Sequence, residues 1–248
     1  MKNHKISVII PTRNEEKRLG NLLRSIKKQD YKNYEVIIGD YASTDRTVAI
    51  AKRYGAVVIN SKVRGVGAGR NAAMKRAHGD IMAFIDADYI LPKGLFRKAV
   101  DGLYGESNDK VIAVQPMSKP NLSEVPKNRK KSILRLSKAV NRIAALSFRF
   151  SPIPIAWGCV FLKRDILDSV GTFNEKVLFA EDIDLYARIR KRYTRKDYAF
   201  KILKCQVTMS YRRFINKGIY RTLLFYFKEV VKTLVKKESN TYLELVRD

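Results

Sequence analysis

Histidine and cysteine are scarce, because the chain of 248 residues contains only two of each. His4 lies in the N-terminal tail and His78 in a Lys-rich segment of helical pattern, which argues against a histidine-based triad or a zinc site. Cys159 and Cys205 have neither the spacing of a metal site nor the density of a disulfide framework. This cysteine usage fits a reducing compartment.

Two kinds of apolar segment are also missing. No hydrophobic run approaches the roughly 20 residues that a membrane-spanning helix needs. The first residues lead straight into a strand pattern, without the apolar core of a signal peptide. We therefore expect a soluble or peripheral protein of the cytoplasm, held on the inner face of the membrane by the positive charge described next.

Acidic residues are too few to balance the basic ones. There are 50 Lys and Arg against 24 Asp and Glu, which gives a formal net charge of +26. The excess is +9 in residues 1–110 (21 basic, 12 acidic) and +17 in residues 111–248 (29 basic, 12 acidic). Such a chain is expected to bind an anionic partner, which could be a nucleic acid, a membrane surface or a phosphorylated substrate.

What the chain does have is a regular alternation of apolar, β-branched segments with segments of helical spacing. Strands are predicted at residues 6–10, 36–38, 56–59, 81–85 and 111–115, helices at 15–28, 43–54, 70–77 and 92–103, a glycine-rich loop at 65–69 and a surface loop at 119–131. The alternation predicts an α/β fold with a mostly parallel, Rossmann-like sheet flanked by helices.

Turn-forming and polar residues follow three of these predicted strands. They are Pro11, Thr12 and Glu15 after the first strand, Asp40 after the second, and Asp86 and Asp88 after the fourth. In a parallel α/β sheet, ligands bind at the carboxyl ends of the strands. We therefore expect all of these residues to line one crevice.

The pair Asp86 and Asp88 is the most informative of these motifs. Side chains two apart on a strand share a face, so we expect both carboxylates to converge on one centre. Such hard, anionic ligands suit Mg²⁺ or Mn²⁺, and the phosphates of a substrate commonly complete the coordination shell. A solvated turn after a strand is the alternative interpretation.

Three further acids, Glu181, Asp182 and Asp184, stand at a predicted helix start. The helix dipole favours acids at this position, so each of them could serve the helix alone. A helix N-terminus can also point into a cleft, and Asp182 is then a candidate general base. Asp184 is interpreted as a helix cap or as the ion-pair partner of Arg188.

A phosphate cradle is one interpretation of the predicted glycine-rich loop. Glycines allow close backbone approach and the flanking arginines supply forked donors; the residues are Arg64, Gly65, Gly67, Gly69 and Arg70. The segment is not a Walker motif, and an ordinary flexible loop is the alternative.

Two basic segments of helical spacing occur in the second half of the chain. In residues 130–149 the basic stripe is Lys131, Arg135, Lys138 and Arg142, opposite Ile133, Leu136, Val140 and Ile143. Near the end the basic stripe is Lys217, Arg221, Lys228, Lys232 and Lys236, opposite Ile219, Leu223, Tyr226, Val230 and Leu234. We expect the first segment to lie on a membrane surface and the second to pack on the domain, with core packing and nucleic-acid contacts as the other possibilities.

These motifs, in this order, resemble the family 2 glycosyltransferases of GT-A fold. The matching segments cover roughly residues 5–190: VIIPTRNE at 8–15, EVIIGD at 35–40, STDRT at 43–47, GRN at 69–71, GD at 79–80, DAD at 86–88 and EDIDL at 181–185. The resemblance implies an inverting transfer of a sugar from a UDP- or GDP-linked donor with Mn²⁺ or Mg²⁺. We expect a lipid-linked or membrane-proximal acceptor.

The resemblance also implies a role for each matching residue. Pro11, Thr12, Glu15 and Asp40 would hold the nucleoside, Arg70 the base or the diphosphate, Asp86 the ribose and metal, and Asp88 the metal directly, with Asp182 as the base. Glu181, Trp157, Arg212 and Arg213 are further candidates for contacts with the diphosphate or the acceptor. We predict a catalytic domain at residues 1–210, with an acceptor-side insertion at 117–156, and a basic amphipathic helical extension at 211–248.

The chain departs from the family pattern at two points. Gly39-Asp40 stands where many relatives carry Asp-Asp, which would remove one nucleoside contact. Many relatives also carry a histidine after the Glu-Asp helix, where this chain has the sequence MSYRR at residues 209–213. Arg212 and Arg213 would then neutralise phosphate directly.

Two other functions compete with glycosyl transfer. The charge alone fits a nucleic-acid-binding module, but acids at the strand ends would repel phosphates without a metal, so we expect no nucleic-acid partner. A catalytically silent relative would bind a nucleotide-sugar only, and the presence of Asp88 and Asp182 argues against it.

Overall fold

The fold is built on one eight-stranded mixed sheet, seen in a computed structural model that describes residues 3–106, 108–150, 158–194 and 198–236. The strands are β1 Ile6–Thr12, β2 Tyr34–Asp40, β3 Val57–Asn60, β4 Ile81–Ile85, β5 Tyr89–Ile90, β6 Val111–Pro120, β7 Cys159–Lys163 and β8 Ala199–Met209. The helices are α1 Leu19–Lys27, α2 Thr47–Arg53, α3 Val66–Met74, α4 Leu95–Tyr104, α5 Lys130–Phe150, α6 Arg164–Val170, α7 Glu181–Arg192, α8 Arg212–Lys217 and α9 Ile219–Lys236.

The sheet order is β3-β2-β1-β4-β7-β6-β8-β5. The first four strands are parallel, as the alternating pattern predicts. β7 then runs antiparallel between β4 and β6, and β5 runs antiparallel to β8, whereas β6 and β8 are parallel. The prediction of a mostly parallel sheet therefore describes the N-terminal part, and the whole sheet is mixed.

The two faces of β1 supply two separate cores. Val8 and Ile10 are fully buried against α1 and α4, while Ile9 is fully buried on the opposite face with side chains of α3, α6 and α7. Alternate side chains of a strand point to opposite faces, so β1 carries apolar residues on both faces when helices cover both sides.

The predicted loop at residues 65–69 is wrong, because α3 begins at Val66 and contains two of the glycines. These glycines serve close packing. A Cβ on Gly39 would lie 1.9 Å from the carbonyl oxygen of Gly69, and a Cβ on Gly69 would lie 3.3 Å from Cβ of Pro11. The backbone of α3 therefore leaves no room for a side chain at position 39.

Other predicted boundaries also shift. α1 begins at Leu19, four residues later than predicted, because Glu15 and Arg18 form a turn whose carbonyls receive the first helical N–H groups. β6 continues to Pro120, so the predicted surface loop begins only after this strand. The short strand β5 and the strands β7 and β8 were not predicted.

A small third core joins α5, α8 and α9. It contains the buried side chains of Val125, Ile133, Tyr211 and Phe214. α5 turns Ile133 and Val140 inward as predicted, but Ile143 is 54% exposed, so its buried stripe is rotated from the predicted one. Within the described ranges, no helix combines the length and apolarity needed to cross a membrane.

α9 packs on the domain, as predicted, but its buried face is rotated from the predicted one. Thr222, Glu229 and Thr233 are buried, whereas the predicted core residue Leu223 is 39% exposed. The part of this segment beyond Lys236 lies outside the described residues.

Candidate functional site

The carboxyl ends of β2, β1 and β4 lie side by side at one edge of the sheet. Thr12 and Asp40, the last residues of β1 and β2, are paired in the register of the two strands. β4 lies on the other side of β1, and Asp86 follows its last residue, Ile85. The predicted crevice residues of these three strands are therefore brought to one edge.

Asp40 and Thr12 form one buried polar unit. The hydroxyl of Thr12 donates to Oδ1 of Asp40 at 2.7 Å, and Ser43 donates its hydroxyl to Oδ1 at 2.6 Å and its backbone N–H to Oδ2 at 3.0 Å. Asp40 therefore anchors the turn after β2. It accepts three hydrogen bonds, and a carboxylate can accept about four, so a nucleobase could still bind to it. This contact stays a prediction.

Glu15 joins the loop after β1 to the C-terminal part of the chain. Its Oε1 accepts from Nη2 of Arg212 at 2.8 Å, and its backbone N–H donates to Oγ1 of Thr47 at 2.7 Å. The pairing brings Arg212 of α8 to the β1 edge, although 197 positions separate the two residues. Glu15 is thus held at the edge, and its predicted nucleoside contact stays a prediction.

Asp86 and Asp88 converge through a turn instead of a strand face. β4 ends at Ile85, so the reasoning from alternate strand positions is wrong even though the carboxylates are neighbours. The backbone N–H of Asp86 donates to the carbonyl of Gly158 at 2.8 Å. A Cβ on Gly158 would fall 2.0 Å from Oδ2 of Asp86, so only glycine fits there. Trp157, a predicted contact, lies outside the described residues.

The electrostatics of Asp88 suit a cation. Burial, together with the negative charge of Asp86, raises the pKa of Asp88 to about 7, while Arg212 and Arg213 oppose the shift. Crowded, desolvated carboxylates gain stability when a divalent cation binds between them. Among the described residues there is no group of three or more His, Cys, Asp and Glu side chains arranged for a metal. Asp86 and Asp88 would therefore supply two oxygens, and a diphosphate would complete the shell.

Arg70 on α3 connects the two acidic groups of the site. Its guanidinium is 4% exposed and donates to Oε1 of Glu181 at 2.6 Å and to Oδ1 of Asp86 at 2.9 Å. The ring of Phe173 stacks on it at 5.1 Å. These two carboxylates raise the pKa of Arg70 further above its usual range. The contact of Arg70 with a base or diphosphate stays a prediction, whereas its bonds to the carboxylates are direct.

Asp182 lies at the start of α7 beside the guanidinium of Arg70. Burial and the charge of Asp86 raise the pKa of Asp182, and Arg70 acts in the opposite direction. A carboxylate with a raised pKa is a stronger base, which fits the predicted role. Glu181 is buried and its pKa is also raised by desolvation, although Arg70 opposes this. Asp184 pairs with Nε of Arg188 at 3.0 Å, which confirms the predicted ion pair.

Arg212 and Arg213 stand near the Asp86–Asp88 turn, as their influence on the pKa of Asp88 shows. Nη1 of Arg213 donates to the hydroxyl of Tyr226 on α9 at 3.4 Å. Sequence reasoning missed the roles of Tyr226, Ser43 and Gly158. Only Gly158 carried a signal, since a lone glycine before a strand often marks close backbone approach.

Left-handed backbone marks the loops around this site. Within the described ranges, the non-glycine residues with positive φ are Asn14 (52°), Ala42 (48°) and Ala180 (61°). Asn14 follows β1, Ala42 follows Asp40, and Ala180 directly precedes Glu181. Backbone strain of this kind concentrates at functional sites, so the three positions agree on where the site lies.

Comparison with known proteins shows which family the chain matches. A model described as Glycosyl transferase family 2 matches residues 7–171. Poly(ribitol-phosphate) beta-N-acetylglucosaminyltransferase TarS of Staphylococcus aureus is 31% identical over 187 residues, covering 72% of this chain and 31% of TarS. The chain spans about a third of the length of TarS and of other curated relatives that it matches.

Solved structures share the fold. Mannosyltransferase PcManGT from Pyrobaculum calidifontis, in complex with GDP-Man and Mn²⁺, has a TM-score of 0.65 at 24% identity, covering 94% of this chain and 65% of that chain. Glucosyl-3-phosphoglycerate synthase from Mycobacterium tuberculosis, with Mn²⁺, UDP and phosphoglyceric acid, has a TM-score of 0.66 at 23% identity, covering 94% and 78%. The predicted GT-A architecture is confirmed.

Proposed function

Since the chain belongs to glycosyl transferase family 2, we propose that it transfers a sugar from a UDP- or GDP-linked donor to a lipid-linked or membrane-proximal acceptor. The transfer depends on Mn²⁺ or Mg²⁺ and inverts the anomeric centre. The similar structures bound to GDP-Man or to UDP support the donor class. We place the reaction on the cytoplasmic face of the inner membrane.

One observation carries the proposal. A single buried guanidinium, that of Arg70, donates to Asp86 on one side and to Glu181 on the other. It therefore fixes the Asp86–Asp88 turn and the start of α7, which carries Asp182, in one arrangement. A donor bound between them would meet acidic metal ligands at its diphosphate and a carboxylate at its anomeric carbon.

Charge at the diphosphate end is supplied by four residues. Asp86 and Asp88 fit a divalent cation, whose chemistry is to neutralise the negative charge that grows on the leaving diphosphate. Arg212 and Arg213 add positive charge at the same end, close enough to affect the pKa of Asp88. Pro11, Thr12 and Asp40, at the ends of β1 and β2, are proposed to hold the nucleoside.

Asp182 acts at the other end. It takes the proton of the acceptor hydroxyl while the acceptor oxygen forms a bond to the anomeric carbon and the bond to the diphosphate breaks. One displacement of this kind inverts the centre. When the acceptor oxygen belongs to a lipid phosphate it is already anionic, and Asp182 mainly orients it.

The acceptor is proposed to lie at a membrane surface because of charge. The exposed face of α5 carries Lys131, Arg135, Lys138 and Arg142, while Ile133 and Val140 on its other face are buried. A basic face of this kind is attracted to anionic lipids. Phe148, Phe150 and Trp157 were predicted to take part; the placement of their side chains lies outside what the structure describes.

The test is a donor screen with the full chain. UDP- and GDP-sugars are incubated with Mn²⁺, with Mg²⁺ or with EDTA, and release of nucleoside diphosphate is measured with and without lipid extracts. We expect release from one donor, dependent on metal and increased by lipid. Thermal stabilisation by a donor without release would identify a silent relative, and no response to any donor or nucleotide would overturn the proposal.

A further inference from the structure

α9 turns a continuous apolar face towards solvent. Leu224, Val231 and Leu223 are 55%, 44% and 39% exposed, and Tyr220, Phe227 and Val235 are 90%, 67% and 75% exposed. Positions 220, 224, 227, 231 and 235 recur at intervals of three or four, so these side chains form one stripe along the helix. A helix that packs on a domain normally buries such a stripe.

Polar contacts on the opposite face fix this orientation. Oγ1 of Thr233 donates to the carbonyl of Phe179 at 3.2 Å, and the hydroxyl of Tyr226 accepts from Arg213. Glu229 is 1% exposed and its Oε1 accepts from Nζ of Lys232 at 2.7 Å. Rotating α9 to bury the apolar stripe would break the contacts with Phe179 and Arg213 and expose Phe225, whose ring packs on Phe179 at 5.1 Å.

Basic side chains border the stripe along one side. Arg221, Lys228 and Lys232 are all exposed. At 100° per residue they occupy an arc directly next to Leu224, Val231 and Val235. An apolar arc bordered by lysine and arginine is the pattern of a helix that lies in the interface of a bilayer, with its apolar face among the acyl chains and its cations at the headgroups.

We propose that the outward face of α9 binds the surface of an anionic lipid bilayer. The occupant follows from charge complementarity. A second copy of the chain would bring one basic arc against another in a molecule of net charge +26. A nucleic acid would pair with the basic side chains but leave the apolar stripe in water. An anionic bilayer would pair with the basic side chains and bury the apolar stripe.

Membrane docking by α9 would also place the acceptor near the site. This consequence rests on the proposed function. The inner face of α9 contacts Phe179, three residues before Asp182, and Arg213, whose charge acts on Asp88. The site is therefore separated from the bilayer by about one helix diameter, roughly 10 Å. An acceptor group at the level of the lipid headgroups would be within reach, whereas the nucleotide-sugar enters from water.

The experiment is flotation of the full chain with vesicles of phosphatidylcholine alone and of phosphatidylcholine with 30% phosphatidylglycerol. The variant Phe227→Ser/Val231→Ser removes apolar surface from α9. The matched control Val57→Ser/Val63→Ser removes exposed valines from β3 and the following loop, where they are 51% and 45% exposed. We expect the wild type and the control to float with the anionic vesicles, and the α9 variant to bind at least about tenfold more weakly.

Two outcomes overturn the docking surface. One is absence of wild-type binding at low salt, and the other is wild-type binding by the α9 variant, which would assign the membrane contact to another surface such as α5. A fluorophore on Phe227→Cys that is already shielded without vesicles would also overturn it, by showing that the chain itself or a second copy covers the face. Metal-dependent release of nucleoside diphosphate by the same variants, measured without lipid, reports on the proposed function separately.

Discussion

Asp88 and Glu181 are both desolvated carboxylates of one site, but the protein neutralises only Glu181 directly. Glu181 is bonded to the buried guanidinium of Arg70 at 2.6 Å. Asp88 has no ion pair within 4 Å among the described residues; the nearby Arg212 and Arg213 are bonded to Glu15 and Tyr226. A desolvated carboxylate without an ion-pair partner is destabilised in its charged form. The difference separates a start of α7 whose charge is neutralised within the protein from an Asp86–Asp88 turn to which we assign the proposed cation.

The largest effect on the rate of transfer is expected from removing the carboxylate of Asp88, which has no ion-pair partner in the described part of the chain. Asp88→Ala removes the carboxylate that is proposed to hold the cation, so we expect transfer to fall by at least about 10³-fold, with folding retained. The rate of nucleoside diphosphate release with Mn²⁺ measures it. Asp168→Ala, an exposed aspartate on α6, is the matched control. Undiminished release by Asp88→Ala would contradict the assignment.

Removing the guanidinium that neutralises Glu181 should lower the stability of the protein. Arg70→Leu leaves the buried Glu181 and the partly exposed Asp86 without their partner, and we expect the free energy of unfolding to fall by about 3–5 kcal/mol, mainly through Glu181. Urea denaturation measures this loss. Arg70→Leu/Glu181→Leu should recover part of it, because one unpaired charge is gone. A double variant that is no more stable than the single one would show that the pair does not act as described.

Asp182→Asn separates chemistry from cation binding. The amide cannot accept the proton, so we expect transfer to fall by about 10²-fold, while metal-dependent binding of the nucleotide is kept. Rates with and without an acceptor, together with nucleotide affinity from calorimetry, check this. Full transfer activity in Asp182→Asn would refute the base assignment.

The smallest effect concerns pH in the metal-free protein. The pKa of Asp88 is about 7 when folded and about 3.9 when unfolded, so the native state retains a proton that the unfolded state has released. Stability should therefore decrease as the pH rises from about 4 to about 7. Urea unfolding in EDTA across this range measures the slope. In Asp88→Asn the slope should be smaller; an unchanged slope would assign it to other groups.

Much of the N-terminal sheet could be predicted because its signals are local. The strands β1 to β4 are β-branched runs, and the polar residues after them lie at one edge as expected. The pairs Glu15–Arg212 and Arg70–Glu181 could not be predicted, since they join residues 197 and 111 positions apart. Their contact depends on the antiparallel insertion of β7, for which the alternating pattern gave no signal.

The orientation of α9 shows a second limit. Helical periodicity tells which side chains share a face, but not which face turns inward. Thr222, Glu229 and Thr233 are buried because they and their neighbours find specific polar and aromatic partners, such as the carbonyl of Phe179. The glycines of α3 show the same limit in another form, since their composition fits a phosphate loop and a closely packed helix equally well.

The most direct measurement is the binding of Mn²⁺ in the presence of UDP or GDP, by calorimetry or electron paramagnetic resonance, for wild type, Asp88→Ala and Asp182→Asn. We predict that one nucleotide supports saturable Mn²⁺ binding in the wild type. Asp88→Ala should bind the ion at least about tenfold more weakly, and Asp182→Asn should bind it like the wild type. Equal Mn²⁺ affinity in Asp88→Ala and wild type would contradict a cation site at the Asp86–Asp88 turn.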